Sequence, residues 1–341
     1  MEGVDVPRVT AWFEEHVDGA RPPLDFELIA GGHSNLTFGV TDAAGGHYVL
    51  RRPPLGQVLA TAHDMSREHR IISALGPTNV PVAPALGLCT DESVNGAPFY
   101  VMEFVDGHVL RDNATATSVL TEAQRRTAGE SVVDVMAAIH AVDVDEVGLG
   151  DLGKREGYIA RQLKRWYSQF QASNALTNRP VPLVHEVHDR LAGCTPEQGT
   201  ASIVHGDYRL DNCMVGDDGN IVAVLDWEIC TLGDPLADVG LLVVYWTEPT
   251  DTQAALLTAP TTAPGFPTRA ELIDRYADTS GRDLSNLDFY VAFAYWKLAC
   301  IIEGVYSRYA GGAMGKAEGF ESFANQTTFL AERAAEAADK L

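Results

Sequence analysis

The chain runs to 341 residues, with 25 basic and 47 acidic side chains, a formal charge of −22 at pH 7 and a hydrophobic fraction of 46%. That balance excludes a chain disordered throughout and suggests about two domains or one two-lobed unit. So acidic a surface would repel phosphate backbones, so nucleic acid is excluded as an expected partner. Cys89, Cys194, Cys213, Cys230 and Cys300 are scattered with no CxxC pair, which argues against a disulfide framework and against a zinc site. No apolar run approaches the roughly 18 residues of a membrane span, and the acidic, amphipathic first residues lack the pattern of a secretion signal. The expectation is a protein with no membrane partner and a cytoplasmic location.

In chain order, residues 1–20 read as a helix with Val9, Trp12, Phe13 and His16 on one face. From Asp25 short strand-like runs begin, LDFELIAGG and then LTFGVT and HYVLRR, the last two joined by a Gly45-Gly46 turn. A helix over 64–75 follows, ended by Gly76-Pro77, then strands around 84–89 and 98–105. This order predicts a small α+β lobe ending near Val105, so the expected division is 1–105 and 106–341. Beyond Gly107 the pattern is mostly helical. A Thr-capped helix carries Val132, Val135, Met136 and Ile139 on one face, and further helices are expected at 154–172 and 180–193. A strand-rich island, SIVHGD and CMVGDDGNIVAVLDWE, interrupts them, turning at Asp218-Gly219. Helices resume at 235–246, 269–280, 286–309 and 316–338.

Within that island, HGDYRLDN (205–212) places Asp207 five residues before Asn212, and IVAVLDWE (221–228) ends an apolar run on Asp226. A hairpin between them can bring the three side chains to one point. Phosphoryl transfer uses such a set: one carboxylate for the proton of the attacking hydroxyl, an amide oxygen and a second carboxylate for Mg²⁺. Each residue alone reads better as part of a capped turn or as a strand-end carboxylate; the joint spacing ahead of GDPLAD favours the chemistry.

These stretches resemble the aminoglycoside phosphotransferase and choline kinase families, which share the protein-kinase-like fold. LDWEICTLGDPLADVG (225–240) is similar to the branch associated with acyl-CoA dehydrogenases. The resemblance covers about residues 25–310. It implies a bilobal α+β fold, with an antiparallel sheet and one helix in the small lobe and a larger, mainly helical second lobe. It also implies Asp207 as catalytic base, Asn212 and Asp226 as metal ligands, and ATP and Mg²⁺ as cofactors. Trp227-Glu228 stands where protein kinases have Phe-Gly.

Other positions follow from their place in that fold. Gly31, Gly32, Ser34 and Asn35 lie between two strands, where backbone N–H groups could meet ATP phosphates or simply make a turn. Arg51 falls where kinases carry a lysine, which resembles the dehydrogenase-associated branch, and Glu68 is its expected ion-pair partner or else a solvated helical charge. Met102, Glu103, Phe104 and Val105 resemble the hinge that would hold adenine. Arg209 and Glu228 are candidate substrate contacts, Arg209 alternatively a loop salt bridge. His205 is expected to orient the loop through backbone bonds and Asp238 to brace it or cap a helix. The aromatic helices at 158–170 and 286–309 read as core first and as an acceptor wall second.

The leading reading is an ATP-dependent kinase acting on a hydroxyl of a small molecule. The branch resemblance favours a hydroxyacyl acceptor and a link to acyl-CoA metabolism. The broader family and the acidic balance favour an aminoglycoside- or macrolide-type antibiotic. A nucleotide-binding module without turnover and a metal-dependent phosphohydrolase are the alternatives from other classes. A protein kinase is disfavoured, since no APE-like segment follows LDWE.

Overall fold

The computed structural model describes residues 1–30, 35–55, 64–251, 253, 259–312 and 320–341. Helix α1 (Val6–His16) is shorter than its sequence pattern suggested, because its ends are fixed locally. Asp5 accepts from the Arg8 N–H, Pro7 sits in the first turn and Val17 is already extended. Strands β1 (Asp25–Ala30), β2 (Leu36–Thr41) and β3 (His47–Arg52) form an antiparallel meander. The β2–β3 turn closes on Asp42, whose carboxylate accepts from the N–H groups of Ala44 and Gly46 at 2.8 and 2.7 Å. Helix α2 (Met65–Leu75), β4 (Ala85–Cys89), the short α3 (Glu92–Asn95) and β5 (Phe99–Glu103) complete the lobe. The sheet order is β1-β2-β3-β5-β4.

Strand alternation divides this lobe's core in two. Phe38, Leu50, Phe99 and Val101 pack with Val9 and Phe13 of α1. Val49, Tyr100 and Met102 face the other way, into a core that takes in Ile71, Ile72 and Leu75 of α2 and continues through the helical lobe. Arg51, two residues beyond Val49 and opposite Tyr100 in the β3–β5 register, is therefore aimed at α2.

After Glu103 the chain enters a second, mainly helical assembly: β6 (His108–Val109), α4 (Asn113–Val119), α5 (Glu122–Ala141), α6 (Tyr158–Thr177) and α7 (Pro182–Gly193). The expected Thr cap, Thr121, opens α5 and forms a capping box with Gln124. Strands β7 (Ser202–Val204), β8 (Cys213–Val215), β9 (Ile221–Val224) and β10 (Thr231–Gly233) follow, then α8 (Leu236–Tyr245), α9 (Arg269–Ser280), α10 (Leu287–Ala310) and α11 (Glu321–Ala338). The strands form two small sheets, β6-β8-β9 and β7-β10. Elements α3, α4, β6 and β10 had no counterpart in the sequence reading; spans of two to seven residues carry too few turns or alternations to register a period. Helix α10 is the one described helix whose length and composition would suit a membrane span, yet 67% of its most apolar window is buried. It is the central core helix, packed on α6, α8 and α11.

Candidate active site

The site is built on the loop from β7 to β8. The N–H groups of His205 and Gly206 donate to the Asp238 carboxylate, on the first turn of α8, at 2.7 and 2.9 Å. The buried His205 ring lies 2.9 Å from the Leu225 carbonyl through Nε2 and packs on Trp227. Lys297, on α10, donates from Nζ to the Gly206 carbonyl at 2.9 Å. Gly206 has φ +87°, a conformation that glycine adopts without the Cβ penalty. The loop is thus held from α8, α10 and the strand end at Leu225, and Asp207 projects from it.

Asp207 accepts from the Tyr245 hydroxyl at Oδ1 (2.9 Å) and from Asn212 Nδ2 at Oδ2 (3.0 Å). Asn212 Nδ2 also donates to the Asp207 carbonyl at 2.8 Å. With its amide N–H₂ spent on Asp207, Asn212 keeps Oδ1 as its available acceptor. The Leu225 N–H donates to the Asn212 carbonyl at 2.8 Å, which stitches the strand end carrying Asp226 to the loop carrying Asp207 and Asn212.

Asp226 has φ +63° and ψ +61°. This left-handed conformation is uncommon for residues other than glycine, and aspartate is among those that tolerate it best. Arg51 reaches Asp226 from the small lobe: Nη2 donates to Oδ1 at 3.1 Å, while Nη1 lies 3.3 Å from Glu68 Oε2. Glu68 is not a solvated charge. It is 1% exposed and accepts from the Tyr100 hydroxyl (3.0 Å) and from Asn35 Nδ2 (2.8 Å). Burial pushes its carboxyl above the ordinary range, against the lowering effect of Arg51. Arg51 Nε is buried with no acceptor among the described residues.

The remaining expected positions divide. Asn35 joins the Glu68 network, whereas Gly31, Gly32 and Ser34 lie outside the described residues. Met102 is buried; Glu103 and Phe104 are exposed, and their N–H groups donate to the Pro84 and His47 carbonyls. No group among the described residues accepts from the Val105 N–H. Arg209 takes its alternative form, a loop salt bridge, with Nε 3.5 Å from Asp207 Oδ2 and 3.1 Å from Asp211 Oδ1. Its guanidinium also lies over the Tyr245 ring. Glu228 is half-buried, and its pKa is raised to about 7 by burial and by Asp226 and Glu68, with Arg51 opposing.

Tyr245, Lys297 and Tyr100 went unnoticed as site residues. Tyr245 is the penultimate residue of the apolar run VGLLVVYW (239–246) and Lys297 sits in the α10 aromatic stripe, so both were absorbed into apolar patterns read as core. Of the α10 aromatics, Phe289, Tyr290, Phe293 and Trp296 are core, Tyr290 bonding Asp234 at 2.6 Å and Trp296 donating to the Val184 carbonyl, whereas Tyr295 and Tyr306 are only partly buried. On α6, by contrast, Tyr158 and Trp166 line a cavity beside Gly206.

An α+β bilobal fold, with two carboxylates and an amide converging at the interlobe cleft opposite an arginine–glutamate pair, defines a small-molecule phosphotransferase of protein-kinase-like architecture. Residues 25–290 match the phosphotransferase enzyme family, and the chain belongs to it. Acyl-CoA dehydrogenase family member 11 of Rattus norvegicus is 33% identical over 340 residues, covering 96% of this chain, which spans only 42% of that relative's length. A solved Ralstonia eutropha protein assigned to the aminoglycoside phosphotransferases is 34% identical, with a TM-score of 0.85 and 98% of both chains covered. The ternary complex of aminoglycoside phosphotransferase APH(4)-Ia with ADP and hygromycin B shares the fold: TM-score 0.60, 18% identity, 97% of both chains covered.

Proposed function

We propose that this chain transfers the γ-phosphoryl group of ATP to a hydroxyl of a small molecule. The observation that carries the reading is the stitching of Asp226 to the Asp207–Asn212 loop through Leu225, with Arg51 closing on Asp226 from the other lobe. Asp207, held by Tyr245 and Asn212, is placed to orient the acceptor hydroxyl and take its proton. The donor set suits Mg²⁺: Asn212 Oδ1 and the Asp226 carboxylate are hard oxygen ligands, and no sulfur or imidazole intervenes. The bound cation would neutralise charge on the phosphates. Arg51, with Nη2 on Asp226 and Nη1 in an ion pair with Glu68, is a cation set beside the proposed metal ligands, where a guanidinium can meet phosphate oxygens. The Val105 N–H would serve adenine, as the resemblance of this segment to the kinase hinge implies.

For the acceptor we favour a hydroxyacyl compound over an antibiotic, in keeping with the relatives named for acyl-CoA dehydrogenases. The test is γ-phosphoryl transfer from Mg-ATP to a panel of hydroxyacyl thioesters, free hydroxy acids, aminoglycosides, macrolides and choline, with Asp207→Asn as blank. A phosphorylated hydroxyacyl product is expected. Phosphate release without an acceptor would indicate a hydrolase, and nucleotide binding without any turnover a binding module.

A further inference from the structure

A cavity of about 520 Å³ opens between the lobes beside the Asp207 loop, with Gly206, Glu228 and Lys297 in its wall. Its lining also includes Arg67, Lys154, Arg161 and Arg165, so one cavity gathers five of the 25 basic residues of a chain whose net charge is −22. The sequence spreads these residues over α2, the segment before α6, α6 and α10; the fold brings them together.

Their bonding is as informative as their number. Arg67 donates to the Leu152 and Cys230 carbonyls at 3.0 and 2.7 Å, Arg161 to the carbonyls of Lys154 (2.6 Å) and Glu156, and Lys297 to the Gly206 carbonyl. These contacts fix the positions of three cations without neutralising them. Lys154 has no hydrogen bond or ion pair from its side chain among the described residues, and Arg165 only stacks on Trp166, 5.0 Å from the ring centroid. None of the five lies within salt-bridge distance of a described carboxylate. Like charges held this close repel one another, and 47 acidic residues were available to relieve them. Glu228 is the one carboxyl in the wall, against five cations. Tyr158 and Trp166 add an apolar flank.

We infer that this cavity is the acceptor site and that it takes a hydroxyl compound carrying phosphate or carboxylate groups, recognised by Arg67, Lys154, Arg161 and Arg165. The inference rests on the phosphotransfer reading and narrows it: a polycationic acceptor would meet repulsion here, whereas an anion is drawn to a wall one residue from Asp207.

The test separates binding from turnover. With ADP saturating the nucleotide site, calorimetry is run with coenzyme A as the phosphate-bearing probe and with hexanoate as the carboxylate probe. The proteins are wild type and Lys154→Ala/Arg165→Ala, in which only the stack on Trp166 is removed. At least one probe should bind, about tenfold more weakly in the variant and more weakly at high salt, with ADP affinity unchanged. The probe that binds names the anion. Binding of neither probe, or equal binding by both proteins, overturns the inference. Probe binding lost in the variant, with no acceptor ever phosphorylated, leaves the anion site standing and overturns phosphotransfer. Phosphorylation of neutral alcohols and aminoglycosides, undiminished in the variant, does the reverse.

Discussion

Arg51 Nη2 and Asp226 Oδ1 lie 3.1 Å apart, joining the third strand of the small lobe to the turn after β9 in the large one. The same guanidinium pairs with Glu68, which is 1% exposed, so one side chain neutralises a fully buried carboxylate and a half-exposed one. Its pKa is raised above the ordinary arginine value: the attraction of Tyr100, Glu68 and Asp226 outweighs the lowering caused by burial.

Arg51→Ala should therefore act on two levels. Removing one partner of a buried pair leaves Glu68 uncompensated, and the expected loss is about 3 kcal/mol, read by urea denaturation. Mg-ATP affinity should fall as well. Arg51→Lys should recover charge and part of the stability but not the two-carboxylate bridge, because an ammonium lacks the planar fork. Wild-type stability and nucleotide affinity in Arg51→Ala would show that the bridge contributes to neither.

Asp207→Asn is nearly isosteric and leaves the hydrogen bond from Tyr245 and the stitching through Leu225 available. Thermal stability and Mg-ATP affinity should stay close to wild type, while transfer falls by about 10²–10⁴. Rapid-quench measurement of the chemical step checks this. A variant that turns over at the wild-type rate would remove Asp207 from the proton transfer.

At Asp226, ligand chemistry and backbone conformation can be separated. Asp226→Ala removes the carboxylate and places a Cβ-bearing residue without side-chain hydrogen bonding at φ +63°, so a stability loss of about 1 kcal/mol is expected together with loss of Mg²⁺-dependent nucleotide binding. Asp226→Gly should relieve the backbone and still lose the metal dependence. Calorimetric titration of ATP with and without Mg²⁺ reads it, and an unchanged Mg²⁺ requirement in both variants would exclude this ligand.

Much of this arrangement was legible before the fold was known, and the physical reason is locality. Asp207, Asn212 and Asp226 sit in one short segment folded by a hairpin, so their spacing encodes their proximity. The Arg51–Glu68 pair was legible because β3 and α2 are consecutive and both strongly patterned. What stayed hidden depends on contacts between segments far apart in the chain. Tyr245 meets Asp207 across 38 residues and Lys297 meets Gly206 across 91, each from inside a helix whose apolar periodicity outweighs a single polar atom. The cationic cavity was hidden for the same reason, since no local run of basic residues announces it.

Glu228 makes a pH signature that can be isolated. Its carboxyl titrates at about 7 in the fold against an ordinary 4.5, chiefly because burial disfavours the charged form and Asp226 and Glu68 repel it. Between those values the folded protein holds a proton that the unfolded chain has released. Linkage then requires stability to be greatest, as far as this group is concerned, below the unfolded value, and to fall as pH rises from about 4.5 through about 7. Glu228→Gln keeps the size and hydrogen-bonding capacity of the protonated acid and cannot ionise. Its melting temperature should match wild type near pH 5 and exceed it at pH 8. Parallel stability curves for the two proteins across that range would show that Glu228 ionises in the fold as it does in water.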